Sequence, residues 1–166
     1  MSFMFQGATA FNQPLNNWNV SNVAFMFSMF FNAFLFNRPI SDWNTSRVIN
    51  MSAMFAGARD FNQNISNWNT SNVTDMSIMF WDAINFNNGM PPIPNSSNRL
   101  TWNVSNVIPS GFDSMFNGAS SFNTDISDWD VRNVNDNSPA VGFRLNSPLI
   151  DNFTPPAIRN APGRGQ

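Results

Sequence analysis

Few residues in this chain have the right type and spacing to do chemistry. Asp125, Asp128 and Asp130 stand together near the end of a repeating region, and paired carboxylates are how many glycan-cleaving enzymes supply a general acid and a nucleophile or base. Nothing else can share the work. The eight basic residues are all Arg and the ten acidic ones all Asp, and His, Lys, Glu, Tyr and Cys are missing altogether. That removes a His or Lys base, a thiolate nucleophile and any His/Cys zinc site. Asp42 occupies the same repeat position as Asp128, so the trio is partly repeat variation. Its spacing also lacks the Gly-rich nonapeptide or loop pattern of calcium motifs. No Gly-rich phosphate loop or nucleophile elbow is present. The expectation is a protein that is not an enzyme and holds no metal or cofactor.

The chain has 166 residues, of which only 11% are charged, against roughly a quarter in an ordinary soluble protein. In their place stand 18 Phe, 10 Met, 6 Trp and 29 Asn. A net charge of -2 with Arg scattered singly excludes a phosphate-binding surface, so no nucleic-acid partner is expected. Zero Cys excludes a disulfide scaffold. Asn or Asp interrupts every hydrophobic run, so no membrane insertion is expected. The first residues lack the basic and apolar regions of a secretory leader, and no signal peptide is visible in this chain.

What positions these residues is a repeat of about 25 residues. Met1, Met26, Met51 and Met76 open successive units. Met4-Phe5, Met29-Phe30, Met54-Phe55, Met79-Phe80 and Met115-Phe116 follow, then Ala8, Ala33, Ala58, Ala83 and Ala119. Further columns hold Phe11-Asn12 and its counterparts to Phe122-Asn123; Leu15, Ile40, Ile65 and Ile126; Trp18, Trp43, Trp68, Trp102 and Trp129; and Val23 to Val134. About five copies exceed the three or so that a stacked repeat needs to be stable.

Within a unit, Met-x-x-Met-Phe-x-x-Ala has the i, i+3, i+4, i+7 spacing of a short helix with one buried face, and Gly7, Gly57 and Gly118 suit its end. The Leu/Ile-to-Trp stretch reads as a short strand that would stack in parallel on its neighbours. The expected fold class is therefore an α/β repeat: a right-handed, leucine-rich-repeat-like solenoid with one short parallel strand and one short helix per coil. Residues 1–134 form the repeats, with an insert at 88–98 in the fourth. Residues 135–153 read as a degenerate C-terminal cap, and 154–166 as a flexible Pro-rich tail.

The string from Met4 to Val23, echoed by Met54 to Val73, resembles the BspA-type leucine-rich-repeat-like repeat of about 26 residues. That repeat is found in bacterial surface lipoproteins and also in large DNA viruses. The resemblance covers about residues 1–134. It implies a solenoid without known catalysis and roles in surface display, adhesion or protein contact, at a cell surface or in a virion. It supplies no functional residues.

Two kinds of column are candidates for recognition. The Trp column could stack on sugars, but its spacing with the aliphatic columns favours burial. The Asn columns, Asn12 to Asn123 and Asn19 to Asn103, are expected to form ladders in which each side chain bonds the next coil or a turn backbone. Asn-x-Ser/Thr sequons in these columns should then be buried, leaving Asn95 in the insert as the one glycan acceptor to consider.

The candidate contact surface comprises Asn88, Met90, Pro91, Pro92, Ile93 and Asn95 in the insert, together with Phe25, Asp125 and Asp128. Three functions fit: a non-enzymatic scaffold for protein contact, recognition or adhesion; a structural component of a larger assembly such as a minor capsid protein; or an Asp-based glycan hydrolase or lyase. Partners would be a protein or further copies meeting uncapped solenoid ends, with a glycan as a second option.

Overall fold

The computed structural model describes residues 1–91, 99–134 and 140–149. Its coils open at Met1, Met26, Met51, Met76 and Phe112 and lie one on another, so that equivalent side chains stack. Phe30 and Phe55 have ring centroids 5.5 Å apart, Phe36 and Phe61 5.9 Å, and Trp43 and Trp68 6.2 Å, all with nearly parallel ring planes. Within each coil the two Phe columns stack on each other, Phe30 on Phe36 at 4.0 Å. The Met, Phe, Ala, Ile and Val columns of the interior coils are fully buried. No coil could bury this face alone; its neighbours cover it.

The expected α/β solenoid, with a helix and a strand in every coil, is not what the chain builds. Among the described residues the helix content is one short 3-10 turn, Pro109–Phe112. The strand content is three isolated parallel bridges, pairing Phe25 with Asn50, Asn50 with Asp75 and Arg99 with Asp125.

The reason lies in where the amides go. Met26, Met29, Phe30 and Ala33 do share a buried face, but the backbone reaches it through linked turns. The N–H groups of Met29, Phe31 and Ala33 donate to the carbonyls three residues back. Those of Ser28, Phe30 and Asn32 donate to Ser52, Met54 and Ala56 of the next coil, at 2.8 to 2.9 Å. An α-helix would use all of these amides internally and leave none to join coils. The alternation requires left-handed backbone at every fourth residue: Ser28 (φ 53) and Asn32 (φ 55), Ala53 (φ 54) and Gly57 (φ 69), with counterparts in each coil.

The strand expected at Leu/Ile-to-Trp is absent for a related reason. The Ile40 carbonyl accepts both the Trp43 N–H, in a turn, and the Trp68 indole Nε1–H at 3.0 Å. Both of its lone pairs are thus occupied. Two of the three bridges sit instead at the corner where one coil passes into the next, and the third, Arg99 with Asp125, sits where the insert returns, just before Leu100 and Ile126. At the corner, Ile49 N–H donates to the Ala24 carbonyl and Met26 N–H to that of Asn50.

Asn side chains complete the stack. Asn12 Oδ1 accepts the Asn37 N–H, Asn37 Oδ1 that of Asn62, Asn62 Oδ1 that of Asn87, and Asn87 Oδ1 that of Asn123, all at 2.9 to 3.0 Å. The second Asn column bonds its own turn: Asn19, Asn44, Asn69 and Asn103 each accept the N–H two residues on. These four residues are exposed, which corrects the expectation that their sequons are buried.

Past coil five, the carbonyls of Val141, Phe143 and Leu145 accept from Ser114, Phe116 and Gly118, and Ala140, Phe143 and Leu149 are buried against the stack. The rest of the expected cap and the whole Pro-rich tail lie outside the described residues.

Candidate functional site

The structure brings Asp125 and Asp128 to one guanidinium and gives Asp130 a partner of its own, Arg132. Arg99, at the return of the insert, pairs with Asp125 at 3.1 Å and also with Asp128. Asp125 Oδ1 accepts the Ser127 N–H at 2.9 Å. Burial pushes the Asp125 carboxyl up, but the Ser127 hydrogen bonds and the Arg99 charge outweigh it and hold the group below the usual carboxylate range. Asp130 is held low by its side-chain bonds to Arg132, at 2.6 and 2.8 Å. A general acid requires the opposite displacement. Arg99 with Asp125 and Asp128 is an ion-pair clasp that fastens the returning insert to coil five. Among the described residues no group of three or more His, Cys, Asp or Glu is placed to hold a metal ion.

The insert residues divide. Asn88 is buried: its Oδ1 accepts the Ile65 N–H and its Nδ2 donates to the Ser66 hydroxyl. It therefore shapes the turn from within. Met90 and Pro91 are exposed, and their carbonyls accept from Asn87 Nδ2. Pro92, Ile93 and Asn95 lie outside the described residues. Phe25 is 51% exposed at the corner position that Asn50 and Asp75 fill in later coils.

Trp43, Trp68, Trp102 and Trp129 are buried and donate their indole N–H to Leu15, Ile40, Ile65 and Leu100 of the preceding coil. They are core, not platform. Leu100 fills the aliphatic position in coil four, two residues before its Trp.

Sequence reasoning missed two surface features because it followed the inward columns. The first is a set of apolar residues at outward positions that sibling coils fill with polar or small ones. Leu35 is exposed where Asp60 and Asn85 stand, Ile84 where Thr9, Arg59 and Ser120 stand, and Trp81, the only Trp off the column, where Gln6, Ala56 and Asn117 stand; coil two shares the last two departures with Phe34 and Phe31. The second is an open groove of about 710 Å³ lined by Asn22, Ala24, Arg47, Ile49, Asn72, Thr74 and Asn106. The first was legible in the outward columns, which differ across copies.

No helix among the described residues is long and apolar enough to cross a membrane. No curated protein and no solved structure matches the chain. One family model does, over residues 1–98 and again over 95–140. Its two matches meet at the insert, and together they take in every coil of the stack. The chain belongs to the family described as Mycoplasma protein of unknown function, DUF285.

Proposed function

We propose that the chain is a non-enzymatic scaffold for protein contact, acting in recognition or adhesion at a surface. The observation that carries this reading is the contrast between constant inward columns and coil-specific outward ones. Phe25, Leu35, Trp81 and Ile84 are exposed although most sibling coils carry a polar or small residue at each position, coil two alone adding Phe31 and Phe34 in the columns of Trp81 and Ile84. Departures of this kind neither build the stack nor aid solubility, and apolar surface beyond what the template requires is what contact surfaces are made from. The resemblance to BspA-type surface-protein repeats supports the same reading, since it implies surface display and adhesion.

The test replaces each outward apolar residue by what a sibling coil carries: Phe25→Asn, Leu35→Asp, Trp81→Asn and Ile84→Ser in one variant. Its unfolding transition should match the parent's, while adhesion to host-cell surfaces and self-association in sedimentation should both fall to background. A variant that adheres and associates as well as the parent would overturn the proposal, and so would a parent that does neither.

A further inference from the structure

The groove runs along the stack across coil steps, and its two walls differ. One is a row with one side chain per coil: Asn22, Arg47, Asn72 and Asn106. The other is Ala24, Ile49 and Thr74, which present methyl groups. The polar row is held in place. Arg47 Nη1 donates to Asn22 Oδ1 at 2.8 Å, Asn72 Nδ2 donates to the Ser46 carbonyl and Asn106 Nδ2 to that of Ser71, each at 2.7 Å. Each of these two amides keeps an oxygen and a second N–H for a ligand, and Arg47 keeps most of its five donors. Arg47 pairs with no carboxylate among the described residues, so the groove lining carries a positive charge and no negative one on a molecule of net charge -2.

The floor cannot receive a peptide strand. Its main-chain groups already join coils: Ile49 N–H to Ala24 carbonyl at 2.8 Å, Thr74 to Ile49 at 2.8 Å and Ile108 to Thr74 at 3.0 Å. Strand addition draws its affinity from free main-chain bonds, and here those bonds are taken. What remains is a row of neutral amides, each both donor and acceptor, facing a row of methyls and repeating at the spacing of hydrogen-bonded chains, about 4.8 Å. That spacing is close to the length of one sugar ring in an extended chain. Amides suit hydroxyl edges, methyls suit the C–H faces of the rings, and Arg suits a carboxylate.

We propose that this groove binds a linear oligosaccharide carrying carboxylates, laid along the stack axis with about one sugar per coil and a carboxylate on Arg47. The site is separate from the apolar residues of the preceding section, and its ligand is of a different class.

The test is titration of the full chain with tetragalacturonate and with a hyaluronan tetrasaccharide, using neutral cellotetraose as control. One or both acidic chains should bind at least about tenfold more tightly than cellotetraose, as a charge-assisted contact implies. Arg47→Gln should remove that preference, and Asn72→Ala should weaken binding of the acidic chain severalfold. Both residues are exposed, so the fold is retained. The variant lacking the four outward apolar residues should bind sugar normally, which separates failure of this site from failure of the protein-contact surface. The proposal is overturned if neither acidic chain binds, if cellotetraose binds equally, or if affinity survives both substitutions.

Discussion

Coil three and coil one are built from nearly the same residues, yet they live in different environments. Trp68 is 3% exposed and Trp18 40%; Met54 is fully buried and Met4 is 50% exposed. Trp68 donates its indole N–H to Ile40 of the coil before it, whereas Trp18 belongs to the first coil described. The template alone therefore does not make a core. Each apolar column becomes core only when a neighbour supplies the opposite face and the next hydrogen-bond partner, which is the nearest-neighbour logic of stacked repeats.

The sharpest way to break this comparison is at the indole. Trp68→Ala should cost about 3 to 5 kcal/mol of unfolding free energy, as for other fully buried aromatics. Trp18→Ala should cost far less, and denaturant titration of the two variants measures the gap.

The Asn ladder gives a second contrast. Asn37 Oδ1 accepts the Asn62 N–H and also Gln63 Nε2 at 2.6 Å, so Asn37→Ala should cost about 1 to 3 kcal/mol by leaving a buried donor unpaired. Asn123, on the last rung, has a buried Oδ1 that accepts no hydrogen bond among the described residues. The same change there should be much milder in the same titration.

Gly7 and Gly57 share φ 69, but a Cβ on Gly57 would stand 2.2 Å from Asn32 Oδ1, while one on Gly7 would meet nothing within 4 Å. Gly7→Ala should show only left-handed backbone strain, about 1 to 2 kcal/mol. Gly57→Ala should lower the melting temperature further, and adding Asn32→Ala should recover the difference.

The smallest effect belongs to the clasp. Because the Asp125 carboxyl is held below its ordinary value of 3.8, its contribution is complete above that value and is lost as pH falls through the lower, folded one. With Arg99 half exposed, solvent screening keeps this within about 1 kcal/mol. Asp125→Asn should flatten that acid limb in melts taken at falling pH.

The inward architecture was legible because stacking repeats the same apolar types at a fixed period. The backbone was not, because Met26, Met29, Phe30 and Ala33 fall on one face both in a helix and in a chain of turns. The deciding column held Gly7, Asn32, Gly57, Asp82 and Gly118, all residue types that tolerate left-handed backbone. Its glycines were read as helix ends because the Asn and Asp between them were not set in the same column. Ile78, at φ 49, hides the companion column, since a β-branched residue is a genuine outlier there. Of the candidate site, Phe25 stood out as a break in a polar column. The groove did not, since its Asn row looks like any other Asn in a chain with 29 of them.

The central claim is that alternate amides of each coil's first segment join it to the next coil. Through-hydrogen-bond scalar couplings in an NMR spectrum of the labelled chain test it directly. The Phe30 amide should couple to the Met54 carbonyl, and the Ser28 and Asn32 amides to Ser52 and Ala56. A coupling from Phe30 to the carbonyl of Met26, four residues back in its own coil, would mean a helix and would contradict the account.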